Sequence, residues 1–101
     1  MPSKNREKII QEVRNIASSV LHGYSSRVYL FGSWARGDIA THSDIDIAIQ
    51  GNKPLPAQML FQLRDRLEES HVPYRVEIVD LAMASEEFRK RVYKEGIPWN
   101  V

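Results

Sequence analysis

Phe31-Gly32-Ser33-Trp34-Ala35-Arg36-Gly37-Asp38, followed after a short gap by Ser43-Asp44-Ile45-Asp46-Ile47-Ala48-Ile49, carries both the architectural and the chemical signal of this chain. Residues 44–49 alternate cleanly. Ile45, Ile47 and Ile49 fall on one face of a strand, and Asp44, Asp46 and Ala48 on the other. That pattern predicts a half-buried strand whose exposed face is acidic. Asp is a poor strand former, and two like charges side by side repel unless solvated, protonated or neutralised by a cation. A bare Asp-x-Asp is more often a solvated strand face. The alternative is a hard divalent ion such as Mg²⁺, which takes oxygen ligands.

Working outward, residues 27–31 are β-branched and aromatic and end at Gly32, which predicts a preceding strand. A strand that ends in Gly-Ser and enters a short helical turn, here over 34–37, can aim backbone N–H groups and the Ser33 hydroxyl at a phosphate. Taken alone it is an ordinary tight turn. Arg36 has two readings: neutralising phosphate oxygens, or bracing the acidic pair. His42, in the loop before Asp44, reads as a plain loop histidine or as a contact to nucleotide or acceptor.

Further out, apolar residues at three- and four-residue steps predict a helix over 3–22, with Ser3 as N-cap and Gly23 as stop. The loop Gly51-Asn52-Lys53-Pro54 leads to a second helix over 56–69, buried through Met59, Leu60, Leu63 and Leu67. Residues 74–79 predict a third strand, and 85–94 a last helix capped by Ser85. The order is α-β-(turn)-β-α-β-α. It implies an α/β (α+β) fold, a small mixed sheet with helices packed mainly on one face.

A third carboxylate is expected from the third strand. Alternation sets Arg75, Glu77 and Val79 on one face and Val76 and Ile78 on the other, and Asp80 on the face opposite Glu77. Glu77 lies mid-strand between apolar neighbours, where a charge needs a reason. Asp80 sits at the strand end, where capping or turn duty suffices. Glu77 is therefore the choice.

The chain has 101 residues, enough for one domain over 1–101. Its 43% hydrophobic and 27% charged residues are ordinary for a globular protein. A formal net charge of +1 argues against a dedicated nucleic-acid-binding domain. The basic residues near each end read as solvated helix faces or as a partner patch. There is no cysteine, and no apolar run long enough to span a bilayer, so a cytoplasmic protein is expected.

Taken together, these residues resemble the DNA polymerase β-type nucleotidyltransferase superfamily, whose signature is Gly-Ser, ten residues, then Asp-x-Asp. Here Gly32-Ser33 stands ten residues before Asp44-Ile45-Asp46, and Ala35-Arg36-Gly37 and Ser43 fit the common form. The short length is similar to the minimal nucleotidyltransferase (MNT) family, whose members are commonly partnered with a helical HEPN protein as its antitoxin. Some transfer AMP from ATP to a tyrosine of that toxin.

The resemblance implies that Gly32 and Ser33, with Arg36 and Ser43, hold the nucleotide triphosphate. It implies that Asp44 and Asp46 ligate Mg²⁺, in a site expected to take two ions, and that Glu77 completes the metal site and helps activate the acceptor hydroxyl. The third position is commonly Asp in the family and is Glu here, one methylene longer. The function implied is Mg²⁺-dependent transfer of a nucleoside monophosphate from ATP or another NTP to an acceptor hydroxyl on a HEPN-type partner. The alternatives are a non-catalytic antitoxin and a small-molecule nucleotidyltransferase. So short a chain has little surface to select an acceptor alone. Trp34 and Trp99 read either as partner anchors or as core residues.

Overall fold

The computed structural model describes residues 2–37 and 44–99, with side chains from Asn5 onward. Helix α1 (Pro2–Val20) leads to strand β1 (Ser26–Phe31), a four-residue helix α2 (Ser33–Arg36) and strand β2 (Ile45–Gly51). Helix α3 (Ala57–Glu68), strand β3 (Val76–Asp80), a 3₁₀ turn at Leu81–Met83, helix α4 (Glu86–Glu95) and strand β4 (Ile97–Trp99) follow. The sheet order is β3-β2-β1-β4. β1 runs antiparallel to both β2 and β4, while β2 and β3 are parallel. A parallel pair needs a crossover, and α3 supplies it.

The isoleucine face of β2 is the centre of the larger core. Ile45, Ile47 and Ile49 are buried with Val13 and Ala17 of α1, Val28 and Leu30 of β1, and Leu63 and Leu67 of α3. Burying one such aliphatic side chain stabilises by about 1.5–3 kcal/mol, so the alternation in β2 alone largely fixes which way the sheet faces. α1 and α3 cover this face. The opposite face carries a smaller cluster of Tyr29, Ala48, Leu81 and Val92, joined by Phe31, Val79 and Phe88. α4 is therefore packed on the far side of the sheet, over β1, as the minor cover expected from helices lying mainly on one face. Ser85 caps α4 by accepting a hydrogen bond from Phe88 N–H at 3.1 Å.

Two details differ from the sequence reading, and one open alternative is decided. α1 already includes Ser3, so Ser3 lies within its first turn and not at its cap. β4 was not expected: it has three residues with Pro98 in the middle, too few to show alternation. As an edge strand it tolerates a proline, because only one side of it is paired. Trp99 anchors it, 4% exposed, with the Arg14 guanidinium 5.8 Å above the ring. Trp34 is 2% exposed, so both tryptophans are core residues and neither is an exposed partner anchor.

Candidate active site

β1 delivers the chain to Gly32, whose φ of 76° and ψ of −155° fall in a region that essentially only glycine occupies. A second constraint acts at the same residue. A Cβ built on Gly32 would lie 2.5 Å from Asp46 Oδ2 and 3.3 Å from its Cγ. The backbone of the Gly-Ser turn is thus laid directly against the Asp46 carboxylate. Gly37 closes α2 in the left-handed conformation, its N–H donating to the Ser33 carbonyl at 2.9 Å.

Sheet register brings the acids together. Phe31 pairs with Asp46 across β1–β2, and Asp46 pairs with Glu77 across β2–β3. Directly opposed residues share a face, so Phe31, Asp46 and Glu77 form one row across the sheet. Phe31 is covered by Phe88 of α4, with ring centroids 5.6 Å apart and edge to face. Asp46 and Glu77, the other members of the row, are part-exposed. Asp44 is exposed, just before the first residue of β2.

The electrostatics of Asp46 follow from this crowding and from its burial. Burial holds the Asp46 carboxyl above its ordinary range. The neighbouring charges of Asp44 and then Glu77 push it the same way, and Arg36 pulls it back. Asp44, Glu77 and Arg36 are therefore each close enough to act on Asp46. Glu77 also faces Arg75, two residues before it on the same strand face, with Nε–Oε2 at 3.5 Å. Their side chains are 44% and 75% exposed, so the pair is screened and easily exchanged for another cation. Asp80 has separate duties. Its Oδ1 accepts from Ala82 N–H at 3.0 Å and its Oδ2 from Leu55 N–H at 2.9 Å, capping the 3₁₀ turn and tying the chain before α3 to β3. Ser43 and His42 lie outside the described residues.

Among the described residues, no three histidine, cysteine or carboxylate side chains are gathered tightly enough to hold a metal ion alone. The donor set still suits Mg²⁺, which typically takes one or two carboxylates and completes its shell with phosphate oxygens and water. Asp44 and Asp46 would provide those carboxylates, with Glu77 next to Asp46 in the row.

One contributor escaped the sequence reading. Arg6 of α1 donates from its guanidinium to the Trp34 carbonyl and lies 5.9 Å over the Trp34 ring. Tyr74 meets the same ring edge to face, with centroids 5.0 Å apart. Arg6 and Tyr74 thus pin the helix that follows the Gly-Ser turn. The available signal was the spacing of Arg6 to Ile9, Ile10 and Val13, which puts a cation on the apolar face of α1. A hollow of about 110 Å³, lined by Phe31, Gly32, Arg36, Phe88, Arg91 and Glu95 among others, adjoins the turn on the α4 side.

Comparison with known proteins agrees with this geometry. Residues 4–98 match the family described as "Polymerase beta, Nucleotidyltransferase". The chain is 34% identical over 82 residues to "Probable protein adenylyltransferase MntA" of Haemophilus influenzae, covering 81% of this chain and 70% of that one. A crystal structure of a toxin–antitoxin with AMP-PNP matches with a TM-score of 0.68 at 29% identity, covering 87% of this chain and 73% of that chain. A structure of the tri-AMPylated Shewanella oneidensis HEPN toxin in complex with MNT antitoxin matches with a TM-score of 0.60 at 28% identity, covering 100% of this chain and 74% of that chain. Family match, fold and the Gly-Ser to Asp-x-Asp spacing coincide, and the chain belongs to the minimal nucleotidyltransferases of the polymerase β family.

Proposed function

We propose that this chain transfers AMP from Mg-ATP to a hydroxyl of a HEPN-type partner protein in the cytoplasm, and that the modification is how it acts as an antitoxin. The observation that carries the reading is the close seat of Gly32 on Asp46, in a row with Glu77 and beside Asp44 and Arg36. A triphosphate resting on the Gly32-Ser33 turn is thereby set against the carboxylates that hold its counter-ion. The relatives named for adenylyl transfer, and for toxin–antitoxin complexes with AMP-PNP or an AMPylated HEPN toxin, support the choice of nucleotide and partner.

In this reading Gly32 and Ser33 position the triphosphate, Arg36 and Ser43 neutralise and bond its oxygens, and Asp44 and Asp46 hold Mg²⁺. When bound, Mg²⁺ supplies charge neutralisation to the attacking and leaving oxygens, and two ions can share that task. Glu77 completes the site and accepts the proton of the acceptor hydroxyl. The acceptor oxygen bonds to the α-phosphorus, the bond from that phosphorus to the bridging oxygen breaks, and pyrophosphate leaves. The protein's part is positioning and charge, which carry most of the catalysis in such transfers.

The test uses the tagged protein isolated from its native host with whatever partner accompanies it. Mg²⁺ and ATP labelled at the α-phosphate are added, with an Asp44→Asn/Asp46→Asn double variant as control. Covalent label on the companion protein, absent with the variant, is expected. A stable companion that takes no label from any of the four NTPs would replace this reading with a non-catalytic antitoxin.

A further inference from the structure

The hollow on the α4 side of the Gly-Ser turn has two walls. Phe31, Gly32 and Arg36 line one, and Phe88, Arg91 and Glu95 of α4 line the other. At about 110 Å³ it is well below the roughly 300–1,000 Å³ of pockets that enclose a whole small molecule, so it accepts one end of a ligand. Asp44, Asp46 and Glu77 are not among its described lining residues. The group it takes therefore lies beyond the group held at the carboxylates.

The walls select an anion. Arg36 and Arg91 outnumber Glu95, which leaves the hollow net cationic. The Phe31 and Phe88 rings pack edge to face on each other, so no slot for a flat base lies between them.

α4 sets the place of Arg91. Phe88, Arg91, Val92 and Glu95 recur at three- and four-residue steps and share one side of the helix. Val92 is buried and Phe88 packs on Phe31, so Arg91 stands at the edge of the packed side. Arg89, by contrast, is fixed in structure, donating to the Leu81 and Ala84 carbonyls at 3.2 and 2.6 Å. Arg91 is exposed, and among the described residues it makes no hydrogen bond or ion pair. Arg36 already acts on Asp46, which leaves Arg91 as the cation of the hollow without such a duty.

The order of the row agrees with the direction of the chemistry. Phe31, Asp46 and Glu77 lie on three adjacent strands, a span of two strand spacings or roughly 9–10 Å. Glu77, which accepts the acceptor's proton, is at one end, and the hollow adjoins Phe31 at the other. Attacking and leaving oxygens stand roughly in line across the transferred phosphorus. A leaving group that departs away from Glu77 therefore moves toward Arg91.

We propose that Arg91 of α4 binds the terminal phosphate of the nucleoside triphosphate in the hollow beside Gly32, and that it thereby sets a preference for triphosphates over diphosphates. This inference rests on the reading of Asp44, Asp46 and Glu77 as the transfer site.

Calorimetric titration of the protein isolated with its partner tests it. The probes are the Mg²⁺ complexes of α,β-methylene ATP and α,β-methylene ADP, in which the bridge that breaks during transfer is blocked. The wild type is expected to bind the triphosphate more tightly. Arg91→Met should weaken the triphosphate about tenfold, the loss of a charge-assisted contact, and the diphosphate less than about twofold. Retained diphosphate binding also shows that the variant is folded. Lys94→Met, which removes an exposed α4 cation outside the hollow, should leave both affinities unchanged. No weakening by Arg91→Met, equal weakening of the two nucleotides, or the same loss in Lys94→Met overturns the role of Arg91 and leaves the transfer site standing. A wild type that binds neither nucleotide overturns the transfer reading and this proposal with it.

Discussion

Replacing Gly32 by alanine separates backbone strain from damage to the site, because Gly37 offers a matched control. Both residues have positive φ, 76° and 85°. At Gly37 nothing lies within 4 Å of an added Cβ, whereas at Gly32 Asp46 Oδ2 lies at 2.5 Å. Ordinary contact begins at 3.4 Å, so the Asp46 carboxylate must retreat by 3.4 − 2.5, about 0.9 Å. A misplacement of about 1 Å at a reacting site costs on the order of 10²-fold in rate. Gly32→Ala also forces alanine into a glycine-only region, at about 1–3 kcal/mol. Gly37→Ala adopts the left-handed conformation at about 1–2 kcal/mol. Restricting the unfolded chain returns about 0.4–1 kcal/mol in each case. The melting temperatures are therefore expected to fall by roughly 5–15 °C, somewhat more for Gly32→Ala. Single-turnover transfer from α-labelled ATP, measured where both variants are folded, should drop about 100-fold for Gly32→Ala and change less than about threefold for Gly37→Ala. Equal transfer by the two variants would refute the claim that Gly32 is needed for its seat on Asp46.

Other consequences follow from the same contacts. Asp46→Asn should abolish transfer yet stabilise the metal-free protein at pH 7 by about 0.5–1 kcal/mol, a modest gain because solvent screens a half-buried group. The sign follows from the raised carboxyl: its contribution to stability is fully present below the unfolded value of about 3.9 and is lost as pH rises through its higher folded value. Urea denaturation of both proteins from pH 4 to 8 should thus show a penalty growing with pH in the wild type alone, relieved by Mg²⁺. Asp80→Ala should cost about 1–3 kcal/mol by stranding the Leu55 and Ala82 N–H groups while leaving kcat near wild type. Glu77→Gln should do the reverse, with thermal melting and single-turnover transfer distinguishing the two. Arg6→Met should weaken Mg-ATP binding severalfold by loosening α2, and lower stability by about 1–2 kcal/mol through the lost bond to the Trp34 carbonyl. Calorimetric titration with Mg-ATP checks the first effect and denaturant titration the second.

How far the sequence could be read depended on how many residues carried each signal. The alternation of Ile45, Ile47 and Ile49, and the helical spacing through Val13 and Ala17, extend over whole elements, and the sheet and its main helical cover follow from them. The spacing from Gly32 to Asp46 was legible as a motif. Its physical cause was not, because the near-contact of Gly32 with Asp46 joins residues from two strands. The separation of Glu77 from Asp80 came from period-two geometry, which register and hydrogen bonds reproduce. β4 was hidden because three residues interrupted by a proline carry no period, and its strand character comes from Trp99 packing on the core. Arg6 was hidden in a similar way, since its partner is a backbone carbonyl 28 positions away.

The most direct measurement is the crystal structure of the protein with Mn²⁺ in place of Mg²⁺ and a non-hydrolysable ATP analogue, read by anomalous scattering. The expected result is a metal peak at about 2.0–2.2 Å from carboxylate oxygens of Asp44 and Asp46. Glu77 should have turned away from Arg75 toward the metal, with the triphosphate on the Gly32-Ser33 turn. A nucleotide bound with no metal at Asp44 and Asp46, or a metal held elsewhere on the chain, would contradict the assignment of these carboxylates to the transfer site.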